Sequence, residues 1–182
     1  MRIGVDLDDT ICCTTEIVHD RVEKYASMMK LNSLDIMNDE LLKMSFYNIY
    51  LEDIYTNVEV KRDVCNVLKR LRSKGNEIYI ITSRNNSIVP TVNNVVEIIK
   101  EWLKNNNIEV DGIITSSYGE GRGSSCKRHK IDLMIDNDPY NYKIISSYGV
   151  KCLLFDDKER YDLKNDYVTS WKEIEKYIER NR

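Results

Sequence analysis

Three short apolar runs in this chain break off into acids or hydroxyls, and no other feature limits the fold as much. Arg2-Ile3-Gly4-Val5-Asp6-Leu7 runs into Asp8-Asp9-Thr10, Glu77 to Ile81 runs into Thr82-Ser83-Arg84, and Leu133 to Ile135 runs into Asp136-Asn137-Asp138-Pro139. Runs of this length with little polar alternation read as strands buried on both faces, the kind found in parallel sheets covered by helices. In an open parallel sheet, ligands bind beyond the carboxyl ends of the strands. The chain therefore predicts a sheet that gathers carboxylates and hydroxyls from three strand ends at one end.

Elsewhere the apolar spacing changes from two to three and four. Ile17, Val18, Val22, Tyr25 and Met29 predict a helix from Thr14 to about Leu31, and a second helical stretch runs from Leu34 to Met44. An aromatic-rich segment with Phe46, Tyr47, Tyr50 and Tyr55 follows. Val60, Val64, Val67, Leu68 and Leu71 then form one helix face, with Gly75 where a helix C-cap is wanted. Pro90 and Thr91 open a helix carrying Val92, Val95, Val96, Ile99 and Leu103. Further on come a strand at Gly112 to Thr115, a helical turn or two from Lys143 to Tyr148, a strand at Val150 to Phe155, and a closing helix from Ser170 to Ile178, with Ser170 as its N-cap. The alternation predicts an α/β fold, a Rossmann-like three-layer α/β/α sandwich around a parallel central sheet. Residues 13–58 are helical without a strand, so they read as a small helical cap inserted after the first strand of a core domain formed by 1–12 and 59–182.

Composition excludes several classes. Hydrophobic residues are 42% and charged residues 31% of 182, too much apolar material for a disordered chain. Seven glycines and two prolines leave little for long loops. Lys and Arg number 27 against 30 Asp and Glu, whereas a chain working on nucleic-acid backbone or anionic membrane is usually basic. No apolar stretch approaches membrane-spanning length, and the first residues lack the apolar segment of a secretory signal. The five cysteines (12, 13, 65, 126 and 152) contain no C-x-x-C pair, so neither a disulfide framework nor a zinc site is suggested. The expectation is a cytoplasmic protein with a small-molecule substrate and neither a nucleic-acid nor a membrane partner. Lys127-Arg128-His129-Lys130 then reads as a solvated face, and Phe46, Tyr47, Tyr50 and Tyr55 as packing of the helical cap, with one or two rings reaching a substrate. His19 and His129 show no partner set for metal binding or catalysis.

Carboxylates gathered at strand ends repel one another and raise one another's pKa unless a cation joins them. Hard oxygen donors without a Cys/His set favour Mg²⁺ over zinc. Period-two alternation puts Asp6 and Asp8 on one side of an extended chain, so one can attack phosphorus while the other handles the leaving-group proton. A metal bridging Asp6 and Asp136 would remove the repulsion between carboxylate and phosphate. Thr82 and nearby amides are placed to hold phosphoryl oxygens, with a basic side chain beside them.

These residues resemble the haloacid dehalogenase superfamily of aspartyl-phosphate phosphatases. Asp6-Leu7-Asp8-Asp9-Thr10 is similar to its D-x-D-x-T motif, Ile80-Ile81-Thr82-Ser83 to its strand-then-Thr/Ser motif, and Leu133-Met134-Ile135-Asp136-Asn137-Asp138 to its last, acidic motif. The resemblance spans the chain in order and looks most like the 5'(3')-deoxyribonucleotidase type, short chains with a small helical cap after the first motif. It implies a Mg²⁺-dependent phosphomonoesterase acting on nucleoside monophosphates. A sugar phosphate or other small phosphate ester, or a non-catalytic phosphate-binding module, is the alternative. It also implies that Asp6 is the nucleophile and Asp8 the general acid/base, and that Asp6, the Asp8 carbonyl and Asp136 hold Mg²⁺. Thr82 and a third-motif Lys127 would attend the phosphoryl group, and Asp9, Thr10, Ser83 and Arg84 would bind phosphate or substrate. Two departures stand out. Asn137 occupies the place of a second acid, with Asp138 following. Lys127 has the expected spacing, nine residues before Asp136, but aligning on Cys126 puts Arg122 in that role, and Lys130 is a third candidate.

Overall fold

In the computed structural model, which describes residues 1–85, 94–161 and 167–181, the strands are β1 (Arg2–Val5), β2 (Glu77–Thr82), β3 (Gly112–Thr115), β4 (Leu133–Asp136), β5 (Lys151–Phe155) and β6 (Tyr167–Val168). They form one all-parallel sheet in the order β3-β2-β1-β4-β5-β6. The order reverses direction between β1 and β4, the place where doubly wound sheets open a crevice.

Alternation along the strands sorts side chains into two layers. Ile3, Val5, Ile78, Ile80, Leu133, Ile135, Leu153 and Phe155 face one core, while Ile81, Met134 and Cys152 face the other. The first core is closed by α4 (Val64–Ser73), α5 (Val95–Asn105) and α8 (Trp171–Arg180), whose Val67, Leu71, Ile99, Leu103, Trp171 and Ile174 are buried there. The second is closed by α6 (Glu120–Arg128) and α7 (Pro139–Ser147) through Cys126 and Ile145. Gly4 sits at the centre of this second layer, where a Cβ would come within 2.8 Å of Met134 Sδ and 2.9 Å of Ile81 Cδ1. The expected α/β/α sandwich is what forms.

Between β1 and α4 the chain makes α1 (Thr14–Met29), α2 (Ser33–Asn38) and α3 (Glu40–Asn57). It leaves and returns at adjacent points: Cys13 N donates to Glu59 O at 2.9 Å and Lys61 N to Ile11 O at 2.8 Å. That pairing keeps 59–61 extended, so the helix expected from Val60 begins only at Val64. Asp39 ends the second helical stretch early, because its side chain accepts from Leu41 N and Leu42 N as the N-cap of α3. The aromatic segment is the body of that helix. Phe46 stacks on Tyr50 with centroids 5.3 Å apart, and Tyr25 and Tyr47 pack on the same ring.

Other elements differ in extent. The helix with Ile99 and Leu103 is described from Val95; Pro90, Thr91 and Val92 lie outside the described residues. α7 starts at Pro139 rather than Lys143, with Asp138 as N-cap accepting from Tyr140 N at 2.7 Å. Ser170 caps α8 as expected, accepting from Glu173 N. Helix α6 and the short strand β6 were not expected from the sequence. No helix among the described residues is long and apolar enough to cross a membrane.

Candidate active site

The main chain brings β1 and β4 side by side, with Asp6 N donating to Ile135 O at 2.9 Å. Asp6 and Asp136 therefore leave neighbouring strand ends at the point where the sheet reverses order. Both are buried, at 4% and 0% exposure. Lone buried carboxylates are costly, so a partner is required. It is Arg122 of α6, whose Nη1 donates to Asp6 Oδ1 and, at 3.2 Å, to Asp136 Oδ2. The same nitrogen donates to Ile81 O at 2.8 Å and Nη2 to Ser83 Oγ at 3.4 Å, which ties the end of β2 to the cluster. Its Nε is buried without a hydrogen-bond partner among the described residues.

The sequence-preferred Lys127 is not brought to this cluster. It follows Arg122 by five positions on α6, which turns it about 140° around the helix, and it lies exposed. Lys130, just beyond the helix, is exposed as well. Of the three basic candidates, Arg122 is the one the structure places on the carboxylates.

Asp8 has its own partners. Arg84, only 2% exposed, donates from Nε at 3.0 and 3.2 Å and from Nη2 at 2.6 Å. Thr14 Oγ1, at the start of α1, adds a bond of 2.6 Å to the same carboxylate. The guanidinium of Arg84 lies over the ring of Tyr55 in α3, 4.0 Å from its centroid. Thr14 and Tyr55 were missed as site residues in the sequence. Thr14 read only as a helix start, and Tyr55 only as one member of an aromatic set.

The two carboxylates of the D-x-D pair therefore sit in opposite electrostatic settings. Burial pushes the Asp6 carboxyl up to about 7; Arg122 opposes this, and the charges of Asp136 and Asp8 add to it. Burial likewise raises Asp136 against the pull of Arg122. Burial also pushes Asp8 upward, but the charge and hydrogen bonds of Arg84, with Thr14, outweigh it and hold that carboxyl below its ordinary value. Burial raises the Cys12 thiol to about 12, so it stays a neutral filler beside the site.

The other expected residues divide in two. Thr82 is fully buried at the end of β2, its Oγ1 accepting from Arg84 N at 3.1 Å. Thr10, also buried, donates towards Asp6 Oδ2 at 3.3 Å and Asn137 Oδ1 at 3.4 Å. Thr82, Ser83, Arg84 and Thr10 thus join Asp6, Asp8 and Asp136. Asp9 does not: its carboxylate accepts from Thr15 N at 2.8 Å and from Thr15 Oγ1, so it secures the first turn of α1. Asp138 is likewise taken up as the N-cap of α7 and by Tyr118 OH at 2.7 Å. Asp136 draws support instead from Asp138 N at 3.0 Å and Asn141 Nδ2 at 3.3 Å.

Charge and donor chemistry fit a hard cation. Asp6 and Asp136 against Arg122 leave one negative charge uncompensated, while Asp8 and Arg84 balance. Among the described residues no group of three or more His, Cys, Asp or Glu side chains could hold a metal alone. Two carboxylates with further oxygens from water, main chain or phosphate is the way Mg²⁺ is usually bound.

No known family profile matches the chain, and no curated protein matches it in sequence. Solved structures do. A haloacid dehalogenase-like hydrolase from Streptococcus pneumoniae superposes with a TM-score of 0.72 at 15% identity, covering 97% of both chains. A protein from Lactobacillus delbrueckii subsp. bulgaricus, provisionally described as a phosphoglycolate phosphatase, gives 0.71 at 11% identity over 97% of both. A Bacillus subtilis protein described as a haloacid dehalogenase-type hydrolase bound to magnesium gives 0.70 at 10% identity over 98% of both. With every strand parallel, its carboxylates at the ends of β1 and β4 and these likenesses over nearly its whole length, the chain has the haloacid dehalogenase-like α/β fold.

Proposed function

We propose that this protein is a Mg²⁺-dependent phosphomonoesterase that works through an aspartyl-phosphate on Asp6. The observation that carries the reading is the convergence of Asp6, Asp8 and Asp136, carboxylates from the ends of β1 and β4, with Arg122 bonded to two of them and Arg84 to the third. Arg122 fixes one oxygen of Asp6, leaving Oδ2 among the described residues with the long contact from Thr10, so that this oxygen is the nucleophile. Attack on phosphorus forms the Asp6 Oδ2–P bond as the ester P–O bond breaks, and Asp8 gives its proton to the departing alkoxide. For that step the Arg84 ion pair must loosen, because it favours the ionised form of Asp8. In the second half Asp8 takes a proton from water, the water oxygen bonds to phosphorus, and the Asp6–P bond breaks to release phosphate. Arg122, Ser83 and Thr82 would hold the phosphoryl oxygens in both halves. Asp6, Asp136 and the Asp8 carbonyl would hold Mg²⁺, which when bound neutralises the phosphate charge.

Residues 13–58 act in this reading as the helical cap over the site, supported by Thr14 and Tyr55 reaching from them to Asp8 and Arg84. Nucleoside monophosphates are the favoured substrates, ahead of sugar phosphates, and the five free thiols suit a cytoplasmic setting. The test is phosphate release from a panel of deoxy- and ribonucleoside monophosphates and sugar phosphates with Mg²⁺, beside Asp6→Asn. Release by the wild type alone is expected. Equal inertness of both proteins across the panel would overturn the reading, and a strong preference for sugar phosphates would overturn its substrate.

A further inference from the structure

A groove of about 460 Å³ runs between α1 and α2. Its inner end is Thr14, whose hydroxyl donates to Asp8 Oδ1 at 2.6 Å. Its walls are mostly apolar: Val18 and Val22 from α1, Leu34 and Met37 from α2, and the half-buried ring of Tyr47 from α3. Thr15, His19 and Glu23 line it too but are exposed, and Ser33 adds one half-buried hydroxyl. From Thr14 to Glu23 helix α1 advances about 14 Å, the reach of an organic group of nucleoside size.

We propose that this groove receives the organic group of the phosphate ester and that this group is apolar or aromatic rather than a polyol. The inference rests on the phosphomonoesterase reading and deepens it. Asp8 protonates the leaving oxygen, so the carbon bonded to that oxygen must lie within a few ångströms of Asp8. On one side of Asp8 the way is closed by Arg84 and Tyr55, both buried. On the Thr14 side the groove lies open. A polyol seated there would lose water from more hydroxyls than the few polar groups of these walls can pair, whereas a flat or branched apolar group loses nothing comparable. Tyr47 suits such a group because its ring is held edge-on to Phe46 at 5.1 Å, and Phe46 is itself stacked on Tyr50. The ring is therefore a fixed wall.

The test compares benzyl phosphate with glycerol phosphate, two alkyl esters whose alcohols leave with similar difficulty, and uses acetyl phosphate, an acyl phosphate whose organic group is too small to fill the groove. Wild type should favour benzyl phosphate by about tenfold or more in kcat/KM. Val18→Trp, which fills the groove, should lower that value about tenfold through KM and leave acetyl and glycerol phosphate within about twofold. Leu34→Ser changes a side chain that is 69% exposed, so folding is preserved; a loss of about threefold confined to benzyl phosphate is expected. A second readout needs no turnover: benzylphosphonate should raise the thermal midpoint of wild type and raise that of Val18→Trp less. Equal or better use of glycerol phosphate, proportional losses on every ester, or no thermal response to benzylphosphonate overturns the proposal. Acetyl phosphate left intact by wild type overturns the phosphatase reading instead, and the thermal response then still decides the groove.

Discussion

Replacing Arg122 with alanine is the substitution whose consequence the geometry fixes most closely. The guanidinium is 2% exposed, and it is the cation shared by two carboxylates that are themselves 4% and 0% exposed. Solvent screening is therefore slight. Removing one partner of a buried ion pair costs about 3–5 kcal/mol, because the opposite charge is left without compensation. In a chain of this size each kcal/mol moves the thermal midpoint by about 2–4 °C, so the metal-free variant should melt roughly 6–20 °C lower. Excess Mg²⁺ should recover part of that loss by replacing the missing positive charge between Asp6 and Asp136. Turnover should fall by about 10²–10³, the usual cost of deleting a donor to developing phosphoryl charge. Lys127→Ala, on the same helix but exposed, should stay within about 0.5 kcal/mol of wild type and retain turnover. Circular-dichroism melts with and without Mg²⁺, together with initial rates, make the comparison. An Arg122→Ala protein as stable and active as wild type, or a Lys127→Ala protein carrying the losses, would show that Arg122 is not the cation that holds these carboxylates.

Asp8→Asn should reduce turnover of alkyl phosphates far more than that of p-nitrophenyl phosphate, whose phenolate departs without a proton; the ratio of the two rates measures it. Asp9→Ala should cost about 1–2 kcal/mol in urea unfolding through the lost bonds to Thr15, with KM unchanged, since Asp9 serves the helix and not the substrate. Asp138→Ala should likewise cost about 1 kcal/mol as a lost N-cap of α7. Chelation by EDTA should abolish phosphate release and added Mg²⁺ restore it; full activity after exhaustive chelation would remove the metal from the account.

Much of this was legible in the sequence because buried parallel strands write themselves as unbroken apolar runs and their ends as abrupt polarity. Asp6, Asp8, Thr82 and Asp136 could be found that way, and they do converge. What was not legible lies in α6. Gly121, Gly123, Ser124 and Ser125 are poor helix formers, so the segment carried no helical signal, and without a helix nothing tells Arg122 from Lys127. The structure shows why the weak residues are there: a Cβ on Gly123 would fall 2.6 Å from Tyr148, so glycine lets α6 approach the end of α7. Asp9 was over-read for a related reason. Carboxylates beside a reactive loop look alike in sequence whether they face a substrate or the free N–H groups of a helix start. Tyr55 joins the site beside the return of residues 59–61 alongside 11–13, a long-range pairing, and Thr14 through a side-chain bond to Asp8, neither of which local periodicity contains.

In the proposed mechanism the phosphoryl group passes through Asp6, and trapping it there is the decisive measurement. Wild-type protein is mixed with Mg²⁺ and benzyl phosphate or a nucleoside monophosphate, quenched in acid within the first turnover, digested, and its peptides are weighed. One added phosphoryl group is expected on the peptide that contains Asp6, and none in Asp6→Asn. Undiminished phosphate release by Asp6→Asn, or turnover by wild type with the phosphoryl group on another residue, would contradict that mechanism.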